Sequence, residues 1–344
     1  MRAVVYHGPN RVAWDEVDEP KLADSRAALV RPIAVALCDL DWITVRGLSP
    51  FAPPFPLGHE GVARVEAVGA EVSSVRPGDL AIVPFQISCG TCAACAAGFT
   101  GNCATVRPRT AMYGIGAAGG DRGGLLADCV LVPFADAMLV RVPDGLDPIA
   151  VASASDNIAD GYRCVAPFLA ERPGAEVLVL GGLGFSVALY AAACAVALGA
   201  SRVDYVDADA GRRARAEQAG AHALEALPEK IVPSYPIVVD GSGSIPRLHA
   251  AIAATAPEGI CVVPAIYFGD TTPLPLYRMY VKGMRLQTGR VHARAAIPRV
   301  LELIAAGRIH PEAITSQVVA WEDAPEAILA GAQTKLVIER VATP

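Results

Sequence analysis

Residues 177–188 read Val177-Leu178-Val179-Leu180-Gly181-Gly182-Leu183-Gly184-Phe185-Ser186-Val187-Ala188. Four aliphatic residues without polar alternation describe a strand covered on both faces, as in a parallel sheet. The glycine turn and the apolar run 187–198 beyond it complete a strand–turn–helix unit. Such a turn lets backbone N–H groups and a helix N-terminus approach a pyrophosphate, with Gly181, Gly182, Gly184 and Ser186 as candidate contacts.

Working outward, apolar runs at 203–206, 237–239, 260–263 and 286–288 alternate with helical stretches such as 212–219. This is the βα rhythm of a doubly wound parallel sheet. Asp207 ends the second run, where an acid accepts hydrogen bonds from the adenosine ribose and repels a 2′-phosphate, so NAD is expected. Arg212 and Arg213 beside it keep NADP as the alternative. The first half differs: 61–68, 80–84 and 127–132 are alternating runs parted by Gly69, Pro77-Gly78-Asp79 and Gly123-Gly124, a mainly β region. After Gly289 the rhythm stops, leaving a helix at 296–306 and a last strand at 336–338.

A chain of 344 residues is long enough for two cores. With 53% hydrophobic and 19% charged residues it is not a disordered chain. A net charge of −6 without a basic run argues against nucleic-acid binding, and no run of 18 apolar residues suggests a membrane span. Small-molecule partners are expected instead. The cysteines number nine, an odd count that suits a reducing compartment, and a cytoplasmic protein is expected.

Four of them form Cys89-x2-Cys92-x2-Cys95-x7-Cys103, a spacing that suits a closed tetrahedral zinc. An iron–sulfur cluster also takes four thiolates, but the chain shows no partner electron carrier. Cys38 and His59, 21 residues apart, are the types an open metal site uses. Cys129, Cys164, Cys194 and Cys261 read as small core residues.

With Gly58-His59-Glu60, the lobe at 89–103, the segment Gly123-Gly124-Leu125-Leu126-Ala127-Asp128-Cys129-Val130-Leu131-Val132-Pro133 and the βα half ending in Lys335-Leu336-Val337-Ile338, the chain resembles the zinc-containing medium-chain dehydrogenase/reductase family, alcohol dehydrogenase type. The resemblance covers essentially the whole length. It implies a GroES-like catalytic domain, 1–157 and 291–344, carrying the structural zinc lobe, with a Rossmann domain at 158–290. It also implies two zincs per chain. The catalytic zinc would be held by Cys38, His59 and Asp156 of Ser155-Asp156-Asn157, with Glu60 as the acid beside it and one position left for substrate. There the metal lowers the pKa of an alcohol oxygen or polarises a carbonyl. Matched on Leu198-Gly199-Ala200, Ala188 takes the place of the family's third glycine and the turn is about two residues longer. Lys335 would approach the pyrophosphate. A homodimer or homotetramer is implied, joined at 286–288.

One departure bears on the reaction. Where the family carries a Ser or Thr that passes the alcohol proton to solvent, this chain has Leu40, which cannot. Thr44 or Asp160 are candidate substitutes. The expected activity is NAD-linked oxidation of an alcohol to an aldehyde or ketone. The alternatives are reduction of an activated C=C or C=N bond, which needs no such relay, and a non-catalytic NAD-binding protein.

Overall fold

The computed structural model describes residues 1–228, 232 and 234–340. It contains two compact units. One comprises Met1–Ala159, Val291–Ala305 and the residues from Thr315; the other comprises Asp160–Arg290 and Ala306–Ile314. Sequence alone assigns 306–314 to the first unit. In the structure this segment is tied to the second, because Arg308 donates to the Ala197 carbonyl and Arg215 to that of Ala313 at 3.0 Å.

The first unit is mainly β, with strands β1 (Arg2–Gly8), β2 (Arg11–Glu16), β3 (Ala28–Ala36), β4 (Phe55–Pro56), β5 (Glu60–Val68), β6 (Leu80–Val83), β7 (Val130–Val132) and β8 (Val140–Arg141). Alternation shows best in β3, whose Val30, Ala34 and Ala36 are fully buried while Arg31 is exposed. A small sheet has the order β2-β1-β4.

The second unit contains β9 (Val177–Leu180), β10 (Val203–Val206), β11 (His222–Leu224), β12 (Tyr235–Asp240), β13 (Thr255–Val263) and β14 (Arg285–Thr288). All pairings are parallel, in the order β11-β10-β9-β12-β13-β14. Parallel strands are buried on both faces, which explains why β9 and β10 are buried at every position. The helix Phe185–Ala197 that follows β9 is buried almost all round, as its uniformly apolar sequence requires. The strand order reverses between β9 and β12, the switch point at which such sheets bind ligands. This is a Rossmann sheet.

The chain then returns to the first unit with β15 (Thr315–Ala320) and β16 (Lys335–Glu339). They extend the larger sheet to β15-β16-β3-β5-β6-β8, with β7 also on β3. Cys129, Cys164, Cys194 and Cys261 are buried, as expected of core residues. No helix among the described residues is long and apolar enough to cross a membrane.

Candidate active site and metal centres

Strand register assembles the first cluster. Ala36 ends β3 and lies opposite Glu60, which opens β5. Cys38 and His59, just beyond these two ends, therefore leave the sheet at the same edge. On its other side Ala36 faces Val337 of β16, which brings Lys335 to that edge as well. Asp156 joins them from the end of the 3-10 turn Ala152–Ser155, which is fastened to β5 by the Gly61 N–H donating to Ser155 Oγ at 2.8 Å.

One donor atom each from Cys38, His59, Glu60 and Asp156 lies within 4.8 Å of all the others, and all four residues are buried. His59 Nε2 stands 3.5 Å from Asp156 Oδ2. A tetrahedral zinc with N and O ligands at about 2.0–2.2 Å has edges of about 3.4 Å, so the donors are spaced to share one ion. Their electrostatics point the same way. Burial, with Asp156 adding to it, pushes the Cys38 thiol up to about 12, and burial pushes the Glu60 carboxyl up to about 8 against the pull of Lys335. Glu60 Oε2 has no hydrogen-bond partner among the described residues. Gathered anionic donors and an orphaned buried oxygen are what a cation would relieve.

Three further residues hold this cluster, and the sequence did not single them out for that role. Asp41 Oδ1 lies 3.4 Å from His59 Nδ1, and its Oδ2 accepts the Cys38 N–H at 2.9 Å. His59 Nδ1 makes no hydrogen bond among the described residues, so Asp41 acts on the ring as a nearby negative charge that raises its basicity. Burial opposes protonation of His59, but Asp41, Asp156 and Cys38 raise its pKa well above the ordinary value. Asn157 Nδ2 donates to both Cys38 Sγ at 3.3 Å and Asp156 Oδ2 at 3.0 Å. Lys335, expected at a pyrophosphate, is fully buried here: its ammonium donates to Leu37 O at 2.8 Å, Glu60 Oε1 at 2.9 Å and Asn157 Oδ1 at 2.5 Å. Asp41 had one available signal, its place three residues after Cys38 in the first turn of the helix Asp39–Val45. Of the two proton-relay candidates, Thr44 is buried on that same helix in the first unit, and Asp160, which begins the second unit, is paired with Arg163 at 2.6 Å.

The second cluster is the cysteine lobe. The four sulfurs of Cys89, Cys92, Cys95 and Cys103 lie within 4.8 Å of one another, with Cys92 and Cys103 at 4.0 Å. Zinc–sulfur bonds of about 2.3 Å imply tetrahedral edges of about 3.8 Å. Backbone N–H groups of Cys89, Cys92 and Ala104 donate to these sulfurs, each at 3.4 Å. Burial opposes ionisation of Cys89, yet hydrogen bonds with Thr105, Cys92 and Thr91 bring it down to about 5. The lobe is clamped to the returning chain: Gly101 N–H donates to His292 Nδ1 at 3.1 Å, and Gln86 Nε2 to Val291 O at 2.7 Å.

The nucleotide end is more tightly packed than the sequence suggests. A Cβ on Gly181 would lie 2.2 Å from Asp207 Oδ2, and one on Gly182 2.5 Å from Ser242 Cα. Gly181, Leu183 and Gly184 each donate the backbone N–H to protein, on Val206 O, Ser242 O and Gly241 O at 3.0, 3.1 and 2.8 Å. These glycines therefore serve close packing, and Gly181 and Gly184 do not offer free donors to an anion. Ser186 is fully buried in the first turn of the helix. Asp207 is buried and already engaged: Arg212 donates to both its oxygens at 2.8 and 2.9 Å, and Tyr205 and the Asp209 N–H add 3.0 and 2.9 Å.

The alcohol dehydrogenase GroES-like domain matches residues 24–144. Alcohol dehydrogenase TADH from Thermus sp. ATN1 superposes with a TM-score of 0.90 at 32% identity, over 99% of this chain and 100% of that one. The chain belongs to the zinc-containing medium-chain dehydrogenase/reductase family. Medium chain reductase/dehydrogenase ucsI from Acremonium sp is 33% identical over 239 residues, 68% of this chain and 78% of that protein. The acetophenone reductase of Geotrichum candidum NBRC 4597, solved with NAD, shares the fold at a TM-score of 0.82 and 23% identity, over 98% and 96% of the two chains. The protein is thus an oxidoreductase of the zinc-type alcohol dehydrogenase family, and the non-catalytic alternative falls away.

The Lys335–Glu60 pair gives a direct test, since both side chains are fully buried. Lys335→Met leaves a buried carboxylate without its cation and is expected to lower the unfolding free energy by about 3–5 kcal/mol. Glu60→Gln on that background should recover most of the loss. Urea unfolding of the single and double variants measures both, and equal destabilisation in the two would refute the pairing.

Proposed function

We propose that this protein is an NAD-linked, zinc-dependent alcohol dehydrogenase carrying two zincs per chain, one held by Cys38, His59 and Asp156 and the other by Cys89, Cys92, Cys95 and Cys103. The observation that carries the proposal is the buried convergence of three different donor types within 4.8 Å at one sheet edge. Zinc bound there supplies a Lewis acid for the substrate oxygen, and the nicotinamide takes or gives the hydride. The chain's own contribution is positional. Asp41 sets a negative charge beside the His59 ring, Asn157 spaces Cys38 from Asp156, and Lys335 balances Glu60 so that this acid can stand beside the metal. NAD is favoured by Asp207 at the end of β10, although its pairing with Arg212 softens the repulsion of a 2′-phosphate. A GroES-like domain over the first unit and a Rossmann domain over the second, which takes 306–314 with it, complete the proposal. A cytoplasmic location suits nine cysteines of which none is in a disulfide among the described residues.

Metal analysis should find two zincs in the wild type and one in Cys38→Ala, His59→Ala and Asp156→Ala. Alcohol-dependent NADH formation should fall at least about 100-fold in each. Three variants with wild-type zinc content and activity would refute the ligand set.

Leu40 supports a second reading, reduction of an activated C=C or C=N bond, because it supplies no hydroxyl to relay a proton. Leu40→Thr decides between them. A gain in alcohol oxidation identifies an alcohol dehydrogenase with an impaired relay. Turnover of enals but of no alcohol in either form identifies the reductase.

A second copy of the chain is the proposed partner. β14 is the last strand of its sheet, paired only with β13, and the preceding helix Leu276–Lys282 buries none of its residues. Leu276, Tyr277, Tyr280 and Val281 are all more than 60% exposed, a patch that an open parallel-sheet edge would join to its copy. Light scattering should give a dimer or tetramer for the wild type and a smaller species for Tyr277→Glu/Val281→Glu; an unchanged mass in the variant would rule this surface out.

A further inference from the structure

We infer that Asp240 is a positioning residue for the nicotinamide dinucleotide, holding together the loops that border the switch point of the Rossmann sheet. The inference rests on the reading that this unit binds such a cofactor. Asp240 ends β12, is fully buried, and is paired in register with Leu180, the last residue of β9. It therefore stands beside the start of the glycine turn.

Its two oxygens hold two different segments. Oδ1 accepts the Ser242 N–H at 3.0 Å, and Oδ2 accepts the Tyr267 hydroxyl at 3.1 Å. The first bond fixes the turn 241–243 after β12; the second fixes the loop that follows β13. The turn in turn sets the glycine loop. Gly241 N–H donates to Leu180 O at 2.8 Å, while the carbonyls of Gly241 and Ser242 accept the N–H groups of Gly184 and Leu183. Gly182 is pressed against Ser242 so closely that no Cβ fits between them. Any displacement of Ser242 must move Gly182–Gly184, and with them the first turn of the helix Phe185–Ala197, the helix end that would face a pyrophosphate.

The residue type matters here. A carboxylate presents two acceptors, one for the N–H and one for the hydroxyl. Asn at this position keeps the shape and both bonds, since a hydroxyl also accepts: Oδ1 takes the Ser242 N–H and the NH2 group donates to the Tyr267 oxygen, whereas Leu fills a similar volume and loses both. A side chain needed only for packing would not depend on this difference.

The test uses the metal-loaded, full-length protein and NADH fluorescence titration, alongside kcat at saturating cofactor, zinc content and thermal melting. Asp240→Leu should raise the NADH Kd about tenfold, with kcat within about twofold of wild type and two zincs retained, while Asp240→Asn should keep Kd within about twofold of wild type. Tyr267→Phe, which removes a single bond, should raise Kd about threefold and leave the melting temperature unchanged. Wild-type Kd in both Asp240→Leu and Tyr267→Phe overturns the inference, as does a lower melting temperature in Asp240→Leu combined with an unchanged Kd in Tyr267→Phe. Wild-type protein that binds neither NADH nor NADPH overturns the cofactor reading itself, and this inference with it.

Discussion

The pairing of β3 with both β5 and β16 is the constraint on which the cluster of Cys38, His59, Glu60 and Asp156 depends. Cys38, His59 and Lys335 are remote in sequence, and none of them attracts the others in an unfolded chain. Hydrogen bonding of Ala36 to partners on either side places all three at one edge. Side chains alternate along a strand, so a slip of one residue would turn Glu60 away and leave Lys335 a buried cation without its acid. The ionic cluster and the sheet register therefore specify one another. The ladder brings the charges together, and the charges penalise every other ladder.

The same logic explains the acidity of the site. Three of its four converging side chains carry a negative charge when ionised, and in a fully buried position that charge is tolerable only with positive charge nearby. Lys335 meets part of the requirement from the protein's own stock. The remainder, with the Glu60 oxygen that has no hydrogen-bond partner among the described residues, is the charge a divalent ion held there would balance. The lobe reaches a similar end by other means, since its sulfurs receive backbone N–H groups and not a neighbouring ammonium.

What could be read from the sequence was whatever local spacing encodes. The runs at 177–180 and 203–206 are β9 and β10 residue for residue, since full burial leaves no polar position to blur them. The cysteine lobe was equally plain, because its ligands lie within fifteen consecutive residues. The short His222–Leu224 and the half-exposed Thr315–Ala320 escaped notice, having neither an apolar run nor clear alternation. Asp41, Asn157 and Asp240 were missed as supporting groups because their partners are set by tertiary pairing. Lys335 was visible but assigned to the cofactor; nothing in a local motif reveals that a lysine will be buried 275 positions from its acid.

The clamp between the cysteine lobe and the returning chain has a consequence for biosynthesis. Gly101 and Gln86 bind residues 191 and 205 positions downstream, and Glu60 waits still longer for Lys335. At roughly 5–20 residues per second of translation, some 14–55 s separate the emergence of Glu60 from that of Lys335. Most of the Rossmann unit leaves the ribosome in that interval and can collapse on its own, whereas the amino-terminal half stays unfinished. The first unit would thus be completed only after the second has emerged, with its acidic cluster and thiol lobe open to the cell's chaperones until β16 arrives.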